Sequence, residues 1–322
     1  MPGTGSPEPA PARQLRDAPA AAAQSAAAGK NSAELPAAAI SRLRPGAELR
    51  RLRDAAALRL QDVAAALEVA PSTLSRIENG LAPARASYVR DMLDIYGVTD
   101  DGHRRRLTDM ARDGRRAGWW ADYDDVLATG AGTYLGLESA ARSVRSFSAL
   151  AVPDLLQADD YAEALCRAAC PYLDARQVRT RAGLKNRRQE ARRDLQRRAH
   201  LIADEAALLR VIGSPPVMAR QLDHLTAACA DPMLTIQVLP LSRAHPILAS
   251  SFTVLSFAEP GTPDVACRGD IHGPVTIVRR HQEVAGLIDA FKALAQSALP
   301  PLESAGLIMR LAEKKATRIV AD

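Results

Sequence analysis

The chain has 322 residues, 47% hydrophobic and 25% charged, a balance that suits a soluble globular protein of two domains plus tails. A net charge of +5 is too small for a polycation that coats DNA indiscriminately, and four cysteines in this length make no disulfide framework. No run of about 18 apolar residues predicts a membrane span. The Ala-, Pro- and Ser-rich start lacks the continuous apolar segment of a secretory signal, so a cytoplasmic location is expected.

Residues 1–43, with PEPAPAR and APAAAAQSAAAGK, hold too few large apolar side chains to offset the entropy of ordering and read as a disordered arm. From Arg44 a compact set of five helices is expected. Leu49, Leu52 and Ala56 mark the first, and Val63, Ala64 and Leu67 the second. Pro71 opens the third and Gly80 stops it. Tyr88, Met92, Ile95 and Tyr96 mark a fourth, ending at Gly97, and Leu107, Met110 and Ala111 a fifth, with Arg104, Arg105 and Arg106 outside. GRRAG at 114–118 reads as the boundary, giving a DNA-binding domain over 44–117.

On the third helix Leu74 and Ile77 share one side, while Ser72, Ser75, Arg76 and Asn79 fall on the other. Small polar residues at the start of a short helix permit close approach to the major groove. Arg76 is long enough to pair bidentately with guanine O6 and N7. A helical hairpin with a solvated polar face is the plainer alternative.

Beyond residue 118 the character changes. WWADY is followed by TYLGLESAARSVRSF, read as one amphipathic helix through Leu135, Leu137, Ala141 and Val144. Then come VPDLLQADDYAEALCRA, an arginine-rich helix over 176–198, the segment HLIADEAALLRVIG, and a helix over about 216–230. LTIQVLP, FTVLSF, DVACRG and VTIVR are short and β-branched and read as strands. Helices near 283–299 and 302–316 close an α+β domain over 118–316 with a small, mainly antiparallel sheet, leaving a tail at 317–322. The fold class is thus mainly α with an α+β C-terminal domain.

Other candidates for chemistry are weak. Cys166 and Cys170, and Cys267 with His272, lack the spacing of a zinc site and read as buried free thiols. Trp119 and Trp120 suit a domain junction better than a pocket. Asp159, Asp160, Asp204 and Glu205 sit at helix starts, where caps are commoner than acid–base pairs. His245 and His272 lie near loop ends. With no metal-binding HExxH, phosphate loop or nucleophile elbow, neither an enzyme nor a cofactor is expected. In the 176–198 run only Glu190 and Asp194 oppose the arginines and Lys185, and Val178, Ala182, Ala191 and Leu195 leave a narrow apolar stripe. That run reads as a solvated helix, a docking surface for an acidic partner, or an auxiliary phosphate contact.

LQDVAAALEVAPSTLSRIENG at 60–80 resembles the helix-turn-helix of the phage-repressor type, the XRE family. The resemblance implies that Gln61 and Asn79 contact phosphate, while Pro71, Ser72 and Arg76 face bases. Together with Thr73 and Ser75 these residues form the expected DNA-binding set. Pro71 stands where a polar residue is frequent, so specificity leans on Ser72, Arg76 and DNA shape.

The motifs AGWWADYDDV, YLGLESAA, VPDLLQADDYAEAL, DEAALLRVIG, MARQLDHL, LTIQVLP and SFTVLSF are similar, in that order, to the domain that follows such a motif in actinobacterial WhiJ-like and antitoxin-like regulators. That similarity implies a transcriptional regulator paired with a small, here acidic, partner protein encoded nearby. The chain departs from the pattern at Asp154, where a Gly is usual, at DVACRG and in its heavier arginine run. A homodimer on palindromic double-stranded DNA is the physical expectation for one short recognition helix. An antitoxin-like protein that sequesters a small partner and autoregulates its operon is the alternative.

Overall fold

A computed structural model describes residues 45–80, 82–113, 119–244, 250–258, 262–269 and 273–321. The expected arm at 1–43, the linker at 114–118, His245 and His272 lie outside the described residues. The first half begins with α1 over 45–55, then α2 (Leu60–Ala66), α3 (Pro71–Glu78), α4 (Ala86–Ile95) and α5 (Asp101–Asp113). Leu49, Val63, Leu74, Ile77, Val89, Met92, Leu93 and Leu107 bury one shared core. Two expected core positions differ. Ala56 falls in the turn after α1 and is exposed, and Ile95 turns outward while Val89 and Leu93 take the inner face of α4.

The second half is a six-stranded mixed sheet between helical layers. Its strands are β1 (Ser143–Ser148), β2 (Arg198–Asp204), β3 (Leu234–Leu239), β4 (Phe252–Ser256), β5 (Val265–Arg268) and β6 (Thr276–Val278), in the order β3-β2-β1-β4-β5-β6. The pairs β1/β2 and β2/β3 are parallel, and β1/β4, β4/β5 and β5/β6 antiparallel. Parallel neighbours need crossovers. These are supplied by α7 (Asp159–Ala169) and α8 (Ala175–Asp194) after β1, and by α9 (Glu205–Leu209) and α10 (Pro215–Ala228) after β2.

Alternation divides the sheet's side chains. Val144, Leu201, Ile236, Leu255 and Cys267 join Leu135 of α6 (Ala131–Ala140), Leu184 of α8 and Met218 and Leu222 of α10. Phe147, Ile202, Phe252 and Val254 face Leu287, Phe291 and Leu294 of α11 (His281–Ser297). At the β3 edge, Val238 N donates to Ser304 Oγ at 3.0 Å and Val238 O accepts from Leu299 N at 2.9 Å. The start of α12 (Pro301–Ala321) therefore covers that edge.

Several expectations need correction. Residues 143–148, read within an amphipathic helix, and 198–204, which follow the arginine run with no strand expected there, are the two central strands β1 and β2. The 317–322 tail is not separate, because α12 continues to Ala321. The largest correction concerns the arginine run. Its helix ends at Asp194, and half of its buried residues are charged: Arg181, Lys185, Arg188 and Arg192, beside Val178, Ala182, Leu184 and Gln189. Leu195 is exposed instead.

Arg188 reaches Glu138 through Nε and Nη2, both at 2.7 Å, Asp154 through Nη1 at 3.1 Å, and the Tyr134 hydroxyl at 3.1 Å. Arg192 pairs with Asp231 at 2.5 Å and Lys185 with Asp159 at 2.5 Å. The run is thus divided, with Lys185, Arg188 and Arg192 neutralised inside and Arg176, Arg179, Arg187, Arg193 and Arg198 exposed outside.

The capping reading holds at Asp204, whose carboxylate accepts from Ala206 N at 2.8 Å. Asp159 and Asp160 instead pair with Lys185 and Arg220. Trp120 is buried against α6, where a Cβ on Gly136 would stand 2.9 Å from the indole, so this glycine permits the close approach. Cys166, Cys170 and Cys267 are buried and form no disulfide among the described residues. No helix among the described residues is long and apolar enough to cross a membrane.

Candidate nucleic-acid interface

The exposed face of α3 is prepared by its ends. Pro71 occupies the first helical turn, where its missing N–H costs no hydrogen bond. At the other end Gly80 has φ +61° and its N–H reaches Ile77 O at 2.8 Å, so the chain leaves the helix through a left-handed residue. Between α2 and α3 the turn passes Glu68, at φ +53°, and is closed by Val69 N donating to Ala64 O at 2.9 Å.

Pro71, Ser72, Thr73 and Arg76 are exposed on α3, and Gln61 is exposed in the first turn of α2. Ser75 and Asn79 are half-buried, and Asn79 Nδ2 donates to Ser75 Oγ at 3.3 Å. Residues 72, 75, 76 and 79 follow helical spacing and share a side. Their polar groups leave Arg76 as the one long cationic donor on α3. This arrangement can present a guanidinium to a base edge with small residues beside it.

Three residues outside the expected set hold α3 in place. Arg53 of α1 donates through Nε to Glu78 Oε1 at 2.7 Å and through Nη2 to Oε2 at 3.0 Å. Its Nη1 reaches Leu58 O at 2.8 Å. The Arg53 and Glu78 side chains are 10% and 2% exposed, so the pair is desolvated. The hydrogen bond to Glu78 raises the Arg53 pKa further above its ordinary range. Burial, and then the Glu78 charge, push the neighbouring Tyr96 phenol up.

The third residue is Gly46. A Cβ there would stand 2.5 Å from Ile77 O and 2.7 Å from Glu78 O, so only glycine lets α1 meet the end of α3. A signal for the pair was present in the sequence. Glu78 lies four residues after Leu74, and Arg53 four after Leu49, which puts both charges on buried helical faces.

Comparison with known families adds two matches. Residues 46–107 match a helix-turn-helix domain, and residues 131–310, more than half of the chain, match a domain of unknown function (DUF5753). No curated protein and no solved structure matches the chain.

Proposed function

Because the chain belongs to the DUF5753 family and carries a helix-turn-helix domain ahead of the matched region, we propose that it is a sequence-specific transcription regulator, not an enzyme. The helix-turn-helix domain suggests a DNA-binding regulator. The observation that carries the finer reading is the exposed Arg76 among small polar residues, on a helix anchored by the buried Arg53–Glu78 pair.

In this reading α3 enters the major groove. Ser72, Thr73 and Arg76 meet base edges, Pro71 closes against them, and Gln61, Ser75 and Asn79 stand toward the phosphates. One short helix reads only a few base pairs, so a two-fold dimer on a palindromic operator supplies the rest. The C-terminal domain provides dimerisation and receives an effector or a small partner protein. The exposed outer arginines of α8 support an acidic partner more than a wholly solvated helix, since their paired neighbours on the inner face leave them free of the core.

Footprinting on an operator selected from random DNA tests the dimer. Two protected half-sites centred one helical turn apart are expected, with the protein sedimenting as a dimer. A single protected half-site with a monomeric protein refutes it.

A further inference from the structure

Arg279 lies between β6 and α11 and lines a groove of about 290 Å³ with Pro263, Asp264, His281, Val284, Ala285 and Ile288. Its side chain is partly buried, and its Nη1 is fully buried with no hydrogen-bond partner among the described residues. The carboxylate in the groove is engaged elsewhere, because Asp264 Oδ2 accepts from Arg145 Nη2 at 2.9 Å and from Ser256 Oγ at 3.0 Å. Burial pulls the Arg279 pKa down to about 10, and the charge of Arg50, on α1, acts in the same direction. The Cys267 thiol acts in the opposite direction.

A buried charge without a counter-ion is costly, and while buried Arg197 donates to the carbonyls of Glu138 and Ser139, four further buried cations are paired. Arg53, Lys185, Arg188 and Arg192 each face a carboxylate. Arg279 departs from them, and it does so in the wall of a groove. The opposite wall is apolar, with Val284, Ala285 and Ile288 at helical spacing on α11. The N-cap of α11, Arg280, makes no side-chain hydrogen bond to the first turn. His281, the first residue of α11, also lines the groove.

We propose that this groove is a binding site for a small organic anion, a carboxylate with an apolar body. Arg279 holds the carboxylate, and Ala285 and Ile288 cover the body. The volume suits a ligand of a few carbon atoms at the small end of natural pockets.

The test is calorimetric titration of the full chain with hexanoate, with hexanol and inorganic phosphate as matched probes at constant ionic strength. Saturable hexanoate binding is expected, with the other two weaker by about ten-fold or more. Arg279→Gln should weaken hexanoate by about ten-fold or more, because a charge-assisted contact is lost.

The unliganded Arg279→Gln protein should melt no lower than the parent, since it has lost an unpaired charge. A variant that melts well below the parent shows an internal partner for Arg279 and overturns the proposal. So does hexanol binding as tightly as hexanoate, or phosphate binding as tightly. Absence of operator binding in every condition tells against the DNA-binding reading and leaves the calorimetric result standing.

Discussion

Replacing Glu78 by Gln keeps the shape of the side chain and removes the charge that meets Arg53. The two bonds, at 2.7 and 3.0 Å, join side chains that are 2% and 10% exposed, so solvent cannot replace the lost carboxylate. Breaking one side of such a pair costs about 3–5 kcal/mol. Arg53 retains the Asp54 carboxylate at 2.8 Å and the Leu58 carbonyl at 2.8 Å, and Asp54 is 56% exposed, so the low end, about 3 kcal/mol, is expected.

In a domain of this size about 1 kcal/mol moves the melting point by roughly 4–8 °C, so the transition of the N-terminal half should fall by about 12 °C or more. Thermal melting followed by circular dichroism measures it. The double variant Arg53→Met/Glu78→Leu should recover most of the loss, because neither charge remains buried. A cost below about 1 kcal/mol for Glu78→Gln would show that the anchoring of α3 to α1 is not electrostatic.

Gly46→Ala should destabilise the N-terminal half by about 1–3 kcal/mol in urea unfolding, because its Cβ meets backbone oxygens at 2.5 and 2.7 Å. At an uncrowded helical site the same change is stabilising, so the sign decides. On α8, Arg188→Met should cost about 3–5 kcal/mol by removing the buried charge that faces Glu138 and one of the partners of Asp154. Arg187→Glu with Arg193→Glu on the exposed face should change thermal stability by only about 0.5 kcal/mol.

His200 sits at 2.6 Å from Gln237 Oε1 and edge-on to Phe291, and burial holds its pKa below the ordinary value of 6.5. The unfolded chain then binds the proton first, so stability falls as pH drops below the unfolded value. His200→Gln should flatten that slope in pH-dependent urea titrations, and an unchanged slope would assign it to other groups such as His224, which is shifted the same way.

The sequence made α3 legible because its punctuation and its apolar spacing agree. Pro71 opens the helix, Gly80 ends it, and Leu74 and Ile77 bury. It did not reveal Gly46, whose role is a contact across 31 positions with Ile77. β1 and β2 were hidden by composition and context. Ser146 and Ser148 take positions where a strand signal would need large residues, and β2 runs without a break into α9. The inner face of α8 was misjudged because a buried arginine looks like a solvated one until Glu138, Asp154 and Asp231 arrive from distant segments. Non-local charge pairing leaves little trace in helical periodicity.

Selection of binding sites from a randomised DNA library, run in parallel with the parent, Arg76→Ala and Gln61→Ala, tests the central claim most directly. The parent should enrich a two-fold-symmetric site. Arg76→Ala should lose preference at one position in each half-site and about 1–3 kcal/mol of specific affinity, while Gln61→Ala weakens all sites alike without changing their order. If the parent enriches no sequence, or if Arg76→Ala selects the same site with the same ranking, α3 is not the element that reads DNA.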